Sequence, residues 1–263
     1  MPALSINATT LFYECVGSGP ALLLIHGLGS SGDDWAFQRE EFSRRHTLIL
    51  PDLRGSGRSA KPPGPYSIAQ FAADLWELLD ALAIEMALMQ PARVSRLVLC
   101  NALANYRTDT WRKWFEAHAQ VALVRAIGLR RTARLVARRL FPHDDQAPKR
   151  QRVVDVLSAN QRRTYLATIH ALIGWSALDR LQALRAPTLV IAAEHDYTPL
   201  ADKRAEMRHF PQAQLVVIAG SRHGTPFDAT ERFNASVLDF LGRPDAAVQT
   251  GTAANHQATS VPL

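Results

Sequence analysis

The sequence predicts an α/β protein with a mostly parallel sheet and helices on both faces. Short and wholly apolar runs recur along the chain, as expected of parallel strands that are buried on both faces. Segments with a helical spacing of apolar residues separate these runs, and such alternation is typical of parallel sheets. The length of 263 residues suits one domain of this class with a modest insertion.

A β-hairpin and five apolar runs are the candidate strands. Residues 4–16 have a hairpin pattern that turns near Asn7 and Ala8, and a Gly-Ser-Gly-Pro break follows it. The apolar runs occupy residues 21–25, 48–50, 97–100, 188–193 and 215–219.

Three helices between or after these strands have recognisable starts or ends. Ser67 is a candidate N-cap with Gln70 in capping-box position, and an apolar stripe then runs through residues 67–82. The Thr198-Pro199 pair predicts the start of a second helix, because proline suits the first helical turn. A third apolar stripe covers residues 233–241 and ends at a glycine.

Residues 105–184 interrupt the alternation, because they are helical in pattern and rich in Arg and Ala. We interpret them as a cap inserted between two parts of one core, residues 1–104 and 185–242. The tail, residues 243–263, is small and polar and is expected to be disordered. Five large apolar residues of the cap lie at helical spacing and are expected to pack a helix pair: Trp111, Trp114, Phe115, Leu123 and Ile127.

The net charge of +6 is unevenly distributed. Residues 107–152 contain twelve Lys or Arg and four Asp or Glu. Solvated helix faces explain this segment most simply, and a positive rim that attracts an anionic substrate is the alternative. The segment has no nucleic-acid-binding motif and little aromatic interleaving, so we expect no nucleic-acid partner.

The cellular environment and cofactor content follow from what the sequence lacks. Two cysteines, Cys15 and Cys100, cannot form a disulfide framework and fit a reducing compartment. The sequence shows no signal-peptide pattern and no apolar run of about 18–20 residues that would span a membrane. We therefore expect a cytoplasmic protein with no membrane partner, no metal and no cofactor. The oligomeric state is left open.

Two glycine-containing loops follow the first two apolar runs. His26-Gly27-Leu28-Gly29 can bring a backbone N–H close to a developing oxyanion, although such a motif alone is weakly specific. DLRGSGRS (52–59) is far more specific and predicts a charged loop folded against the carboxyl edge of the sheet, in a mostly structural role. It lacks the third glycine of a dinucleotide-binding loop.

Asp196 and His223 each follow a predicted strand of the carboxyl-terminal half. Catalytic groups of open α/β sheets collect at the carboxyl ends of the strands. A carboxylate followed by a histidine has the order of the last two members of a hydrolase triad. Either residue alone could be an ordinary loop residue, but the ordered pair favours catalysis.

These motifs together resemble the α/β-hydrolase superfamily, and their order is similar to that of 3-oxoadipate enol-lactonases, aminoacrylate hydrolases and small carboxylesterases. The matching pieces are HGLGSSGDDW (26–35), DLRGSGRS (52–59), YSIAQFAADLWELLDAL (66–82), PARVSRLVLCNA (91–102), PTLVIAAEHDYTP (187–199), SRHG (221–224) and FNASVLDFL (233–241).

The resemblance implies roles for individual residues. It makes Asp196 the triad acid, His223 the general base and the N–H of Leu28 one oxyanion donor. The residues expected near the substrate are His26, Gly27, Gly29 and Trp35. The implied reaction is hydrolysis of a carboxylic ester or lactone through an acyl-enzyme.

The chain departs from the family pattern in the middle of the core. A buried strand, a G-x-S-x-G turn and a helix should follow residues 67–82, and these parts need roughly 20 more residues than are present. No G-x-S-x-G exists in the sequence. Residues 86–91 resemble the end of the helix that normally follows the turn, so the break falls between Glu85 and Met86. The fold prediction is therefore an α/β-hydrolase with its central nucleophile strand and following helix largely deleted.

No other residue is expected to replace the serine. Cys100 ends a strand and is the best substitute, but the CNAL sequence lacks elbow glycines and favours a buried strand-end residue. Ser30, Ser31 and Ser56 lie on glycine-rich loops and not on strand-to-helix turns. We expect no side chain to be ready to attack a substrate beside His223.

Three functional hypotheses follow. The first is a hydrolase scaffold for a small ester or lactone, with an anionic substrate as one option, that is inactive or severely impaired. The second is a non-catalytic member that binds a small carboxylate, and the third is a truncated product without a function.

Overall fold

The computed structural model describes residues 3–78, 83–89 and 91–244. The expected tail, from residue 245 onwards, lies outside these ranges. Strands and helices alternate as the sequence predicts. Their order along the chain is β1 Ala3–Ile6, β2 Thr9–Val16, β3 Ala21–Leu23, α1 Ala36–Ser43, β4 Thr47–Pro51, α2 Ile68–Leu78, α3 Ala83–Met89, β5 Leu97–Cys100, α4 Trp111–Leu140, α5 Ala147–Ser158, α6 Arg162–Leu172, β6 Thr188–Ala193, α7 Leu200–Met207, β7 Ala213–Ile218, α8 Thr225–Asp228 and α9 Thr230–Gly242.

The strands form two sheets. The first has the order β1-β2-β4-β3, in which only β3 and β4 are parallel, and the second is the parallel sheet β5-β6-β7. Within the described ranges, no hydrogen bond joins β3 to β5. Their side chains nevertheless share one core, since Leu22 and Leu24 belong to the same apolar cluster as Val98 and Cys100.

Helices cover both faces, which confirms the layered prediction. Alternate residues of β6 belong to opposite cores, with Leu189 and Ile191 on one face and Val190 on the other. The first face is covered by Phe42 of α1 and by three residues of α9, Phe233, Val237 and Phe240. The second face is covered by Ile84 and Ala87 of α3.

Local predictions at the chain's turns are largely confirmed. The hairpin turns at Asn7 and Ala8, whose φ angles of 43° and 57° suit the twist of paired strands. The hydroxyl of Ser67 accepts a hydrogen bond from the N–H of Gln70 at 3.0 Å, as an N-cap should. Pro199 is the N-cap of α7, one position earlier than the sequence suggests.

The helical prediction for residues 105–184 is confirmed, but the expected packing of its aromatic stripe is wrong. Trp111, Trp114 and Phe115 are 82%, 53% and 61% exposed. Gly128 has φ 77° inside α4, so the helical phase changes there. The buried positions of the helix are instead Val121, Val124, Thr132, Ala133 and Ala137. The division into core and cap stays a prediction.

Candidate active site

Asp196 and His223 meet at the carboxyl edge of the parallel sheet. Asp196 lies in the loop after β6, and His223 lies in the loop between β7 and α8. Nδ1 of His223 is 2.8 Å from Oδ1 of Asp196. The side chain of Asp196 is 1% exposed and that of His223 is 32% exposed. The sequence-predicted pair is therefore in contact, with the acid buried and the histidine facing outwards.

Lys203 binds the other oxygen of the same carboxylate. Its Nζ is 2.6 Å from Oδ2 of Asp196, and the hydroxyl of Thr198 also donates to Oδ2. Burial alone would raise the pKa of Asp196, but the hydrogen bond and charge of His223, with the bonds from Lys203 and Thr198, hold that pKa well below its usual range. Asp196 is therefore ionised across the neutral range.

Asn101 holds the segments that carry Asp196 and His223 together, and the sequence did not indicate this role. It follows β5 with φ 51°, a conformation that asparagine tolerates better than most residues. Its amide nitrogen donates to the carbonyl of His223 at 2.8 Å and to the hydroxyl of Thr225 at 2.7 Å. Its amide oxygen accepts from the N–H of Ala193 at 2.8 Å. Three segments are thus fixed by one buried side chain.

A hydroxyl stands beside His223, contrary to the expectation from the sequence. The phenol oxygen of Tyr197 is 3.1 Å from Nε2 of His223, and the two ring centroids are 4.3 Å apart. The contact between the two side chains is exposed, and the phenol is protonated at neutral pH. The residue as a whole keeps 51% of its surface exposed and is reachable from solvent. The position of Tyr197 beside His223 depends on tertiary contacts, which residue spacing in the sequence does not predict.

A cavity of about 190 Å³ opens in front of His223. The end of α4 and the loops that carry Asp196 and His223 contribute to its lining, which comprises Arg139, Leu140, His195, Asp196, Tyr197, Arg222 and His223. The guanidinium of Arg139 lies 5.8 Å from the centre of the Tyr197 ring. Neither Arg139 nor Arg222 forms an ion pair with a carboxylate of the described residues. Two cations therefore face this cavity without a neutralising partner in the described structure.

The glycine loop after β3 lies apart from this cavity lining. Its first residue, His26, is 4% exposed and supports the loop, since its Nε2 accepts from the N–H of Leu53 at 3.0 Å. Burial lowers the pKa of His26, which keeps the ring neutral. Gly29 has φ 72°, and a Cβ there would lie 2.5 Å from the ring of Tyr165. The N–H of Leu28 donates to no acceptor in the described ranges, so its predicted oxyanion role stays a prediction.

None of the four residues expected near the substrate lines the cavity with His223. The structure gives His26 a supporting role and packs Gly29 against the cap, and Gly27 has open space around it. Trp35 packs instead towards α9, with its ring centroid 6.2 Å from that of Phe233. The substrate-binding role expected of these four residues stays a prediction.

The DLRGSGRS loop has the structural role predicted for it. Asp52 is fully buried and accepts from the N–H of Gly32 and the N–H of Arg58, both at 2.7 Å. Burial would raise the pKa of Asp52, but these bonds and the Arg58 guanidinium lower it. Arg54 and Asp74 form a buried, two-pronged pair at 2.6 and 2.7 Å that joins the loop to α2.

Cys100 is not placed to act as the nucleophile. Its side chain packs against the apolar core shared by both sheets, and the residue does not line the cavity. Burial raises the pKa of its thiol to about 12, so the reactive thiolate is suppressed at neutral pH. Within the described ranges, no three His, Cys, Asp or Glu side chains converge as a metal site, and no helix is long and apolar enough to cross a membrane.

Comparisons with known proteins identify relatives of this chain. The family described as alpha/beta hydrolase fold matches residues 20–85. A putative carbamate hydrolase RutD from Caulobacter sp. (strain K31) is 31% identical over 269 residues, covering 87% of this chain and 95% of the relative. A 3-oxoadipate enol-lactonase 2 from Acinetobacter baylyi is 28% identical and covers 91% of this chain and 96% of its own length.

The fold is also similar to that of solved structures. The enol-lactonase from Burkholderia xenovorans LB400 superposes with a TM-score of 0.83 at 24% identity, covering 92% of this chain and all of that one. Fold, family match and the relative above 30% identity lead to the same conclusion. The chain belongs to the α/β-hydrolase superfamily.

Proposed function

We propose that this chain carries the scaffold of a hydrolase for small carboxylic esters or lactones but lacks the serine nucleophile of that reaction. The contact between Asp196 and His223 is the observation on which the proposal depends. The ionised carboxylate of Asp196 accepts a hydrogen bond from Nδ1–H of His223. Nε2 therefore carries no proton, and its lone pair faces the cavity. A general base of this kind takes a proton from an attacking hydroxyl and returns it to the leaving group.

The missing serine is inferred from three observations. The sequence contains no G-x-S-x-G. The two sheets end at β3 and β5, between which the nucleophile strand of the superfamily would lie, and no described hydrogen bond closes that edge. The alignment with the Caulobacter relative is 269 positions long, yet it includes only 87% of this 263-residue chain. Some residues of the relative therefore have no counterpart in this chain. Turnover by the serine mechanism is therefore expected to be absent or severely impaired.

The substrate class is proposed from the cavity. Arg139 and Arg222 are cations next to the general base, and a carboxylate is the group that guanidinium binds best. The relatives are named for carbamate and enol-lactone hydrolysis, which are both acyl-transfer reactions on small molecules. A small anionic ester or lactone fits both observations.

The same arginines favour a second candidate function, in which the chain binds a small carboxylate without turning it over. A truncated product without function is the remaining alternative. Under each of these hypotheses, the proposal includes no nucleic-acid or membrane partner. A cytoplasmic location stays a prediction.

Restoring the absent segment tests the hydrolase proposal. A strand–G-x-S-x-G–helix segment from a relative would be inserted between Glu85 and Met86, and turnover of a methyl ester would be measured. We expect turnover that disappears when the inserted serine is replaced by alanine or when His223→Gln is introduced. A folded but inert restored protein would overturn the roles given to Asp196 and His223 in the serine mechanism.

A further inference from the structure

Three side chains form a continuous hydrogen-bonded line from the protein interior to the cavity. Asp196 is buried and contacts Nδ1 of His223 at 2.8 Å, and the phenol of Tyr197 contacts Nε2 at 3.1 Å. Because Nδ1–H donates to the carboxylate, Nε2 accepts and the phenol donates. An acid, a histidine and a hydroxyl in this order are the arrangement that activates nucleophiles in general, and tyrosine is among the side chains that form covalent intermediates.

We propose that Tyr197 is an acyl acceptor in this chain, activated by His223 in the place that the serine of the superfamily would occupy. The proposal rests on the hydrolase scaffold proposed above. A tyrosine that merely packs on the histidine ring is the simpler interpretation of the 4.3 Å ring contact. Packing alone does not require the hydroxyl to point at Nε2, nor does it require both residues to line the same cavity.

The acyl transfer follows from this geometry. As the phenol O–H bond breaks, its proton moves to Nε2 of His223, and the phenol oxygen bonds to the acyl carbon. The bond from that carbon to the leaving oxygen then breaks, and the leaving group departs as an anion or takes the proton from His223. In the second half, His223 deprotonates a water that attacks the acyl-tyrosine, and the released phenolate recovers its proton. No oxidant, reductant or metal is needed.

The leaving group decides which substrates can react. The tetrahedral intermediate contains the oxygen of Tyr197 and the oxygen of the leaving group, and the weaker base of the two departs more readily. A phenol has an ordinary pKa of about 10, whereas an alkyl alcohol is far less acidic. Alkyl esters would therefore return to starting material. The acyl donors expected to react are activated ones, namely aryl esters and enol esters or enol lactones.

Mass spectrometry of the full chain tests the proposal directly. The protein would be treated with p-nitrophenyl acetate, quenched in acid and mapped by peptide sequencing. We expect acetyl on Tyr197 in the parent chain and no such label with Tyr197→Phe. Tyr13→Phe is the control and should leave the map unchanged. Tyr13 is a partly exposed tyrosine of β2 that contacts no histidine in the described residues. With His223→Gln, acetylation of Tyr197 should slow by about 100-fold, the effect of losing a general base. Ethyl acetate should give no label.

Three results would overturn the acyl-acceptor role: no acetylation, acetylation confined to other side chains, or equal acetylation of Tyr197 with and without His223. The first two results are read from the parent chain itself, and the third requires a His223→Gln variant with the melting temperature of the parent chain. The outcome is also separable from the test of the hydrolase scaffold. A restored protein that turns over a methyl ester, beside a parent chain without labelled Tyr197, would reject only the acyl-acceptor role. Labelled Tyr197 beside an inert restored protein would reject only the serine-based proposal.

Discussion

Lys203 and Asp196 form an ion pair of 2.6 Å in which each side chain is 1% exposed. The lysine comes from α7, one helical turn beyond the loop that carries the acid. It satisfies the carboxylate oxygen that His223 does not contact, so the acid is held from two sides. The orientation of His223 therefore depends on a residue that itself never reaches the cavity opening.

Replacing Lys203 by methionine should destabilise the protein, because Asp196 would lose the cation that it pairs with while staying buried. Breaking a buried pair in this way should lower the free energy of unfolding by about 3 kcal/mol. Urea denaturation measures this loss. Lys113→Met is the matched control, since Lys113 pairs with Asp109 on the surface and its loss should leave the free energy of unfolding nearly unchanged. Equal losses for the two variants would show that Lys203 contributes no more than a surface lysine.

Glu206 of α7 makes stability depend on pH. Burial, together with the negative charge of Asp202, raises the pKa of Glu206 to about 7, although the N–H of Ala104 donates to its carboxylate at 2.8 Å. The folded-state pKa lies above the ordinary value of about 4.3, so the folded state binds the proton more tightly. The resulting stabilisation is complete below about pH 4 and is lost as the pH rises through 7.

Glu206→Gln should remove this dependence, because glutamine keeps the acceptor oxygen and cannot ionise. The melting temperature of the parent chain should fall between pH 5 and pH 8 by more than that of the variant, a difference equivalent to about 1–2 kcal/mol after allowing for partial exposure. Glu231→Gln, at an exposed position of α9, is the control and should leave the pH profile unchanged. A Glu206→Gln variant with the parent's profile would contradict the assignment.

Periodicity sufficed to predict the layers and the catalytic pair. Buried parallel strands are apolar throughout and their carboxyl ends converge, so Asp196 and His223 could be placed together from the sequence. The contacts of Tyr197, Lys203 and Asn101 could not be predicted in the same way. These contacts depend on how three segments of the chain pack together, and neither residue spacing nor composition predicts that packing.

The aromatic residues at the start of α4 show a limit of periodicity. The stripe of Trp111, Trp114 and Phe115 has helical spacing, but spacing identifies a face of the helix and not what covers that face. Tertiary packing leaves this stripe exposed.

The two cavity arginines should determine binding of small carboxylates. Arg139→Gln or Arg222→Gln should weaken succinate binding by about 10-fold, which corresponds to one charge-assisted contact of about 1.4 kcal/mol. The affinity is measured by isothermal titration calorimetry. Arg138→Gln removes the same charge from the neighbouring, exposed position of α4, outside the cavity lining, and should leave the affinity within about 2-fold. A uniform loss in all three variants would indicate general electrostatic attraction and not a site.

Asn101→Ala should loosen the loops that carry Asp196 and His223 as well as lower stability. The substitution removes donors to the His223 carbonyl and the Thr225 hydroxyl and leaves the N–H of Ala193 without its acceptor in a buried place. We expect a loss of about 2–3 kcal/mol in the free energy of unfolding, since an unsatisfied buried group costs its full desolvation. Asn105→Ala is the control, because the Asn105 side chain accepts from the exposed N–H of Arg107 and, in the described residues, contacts neither the Asp196 loop nor the His223 loop.

The His223 ring resonances in NMR should broaden in the Asn101 variant and stay sharp in the control, because Asn101 connects the histidine loop to β5 and β6. An Asn101 variant with unchanged His223 resonances would show that the Asp196 contact alone fixes the histidine.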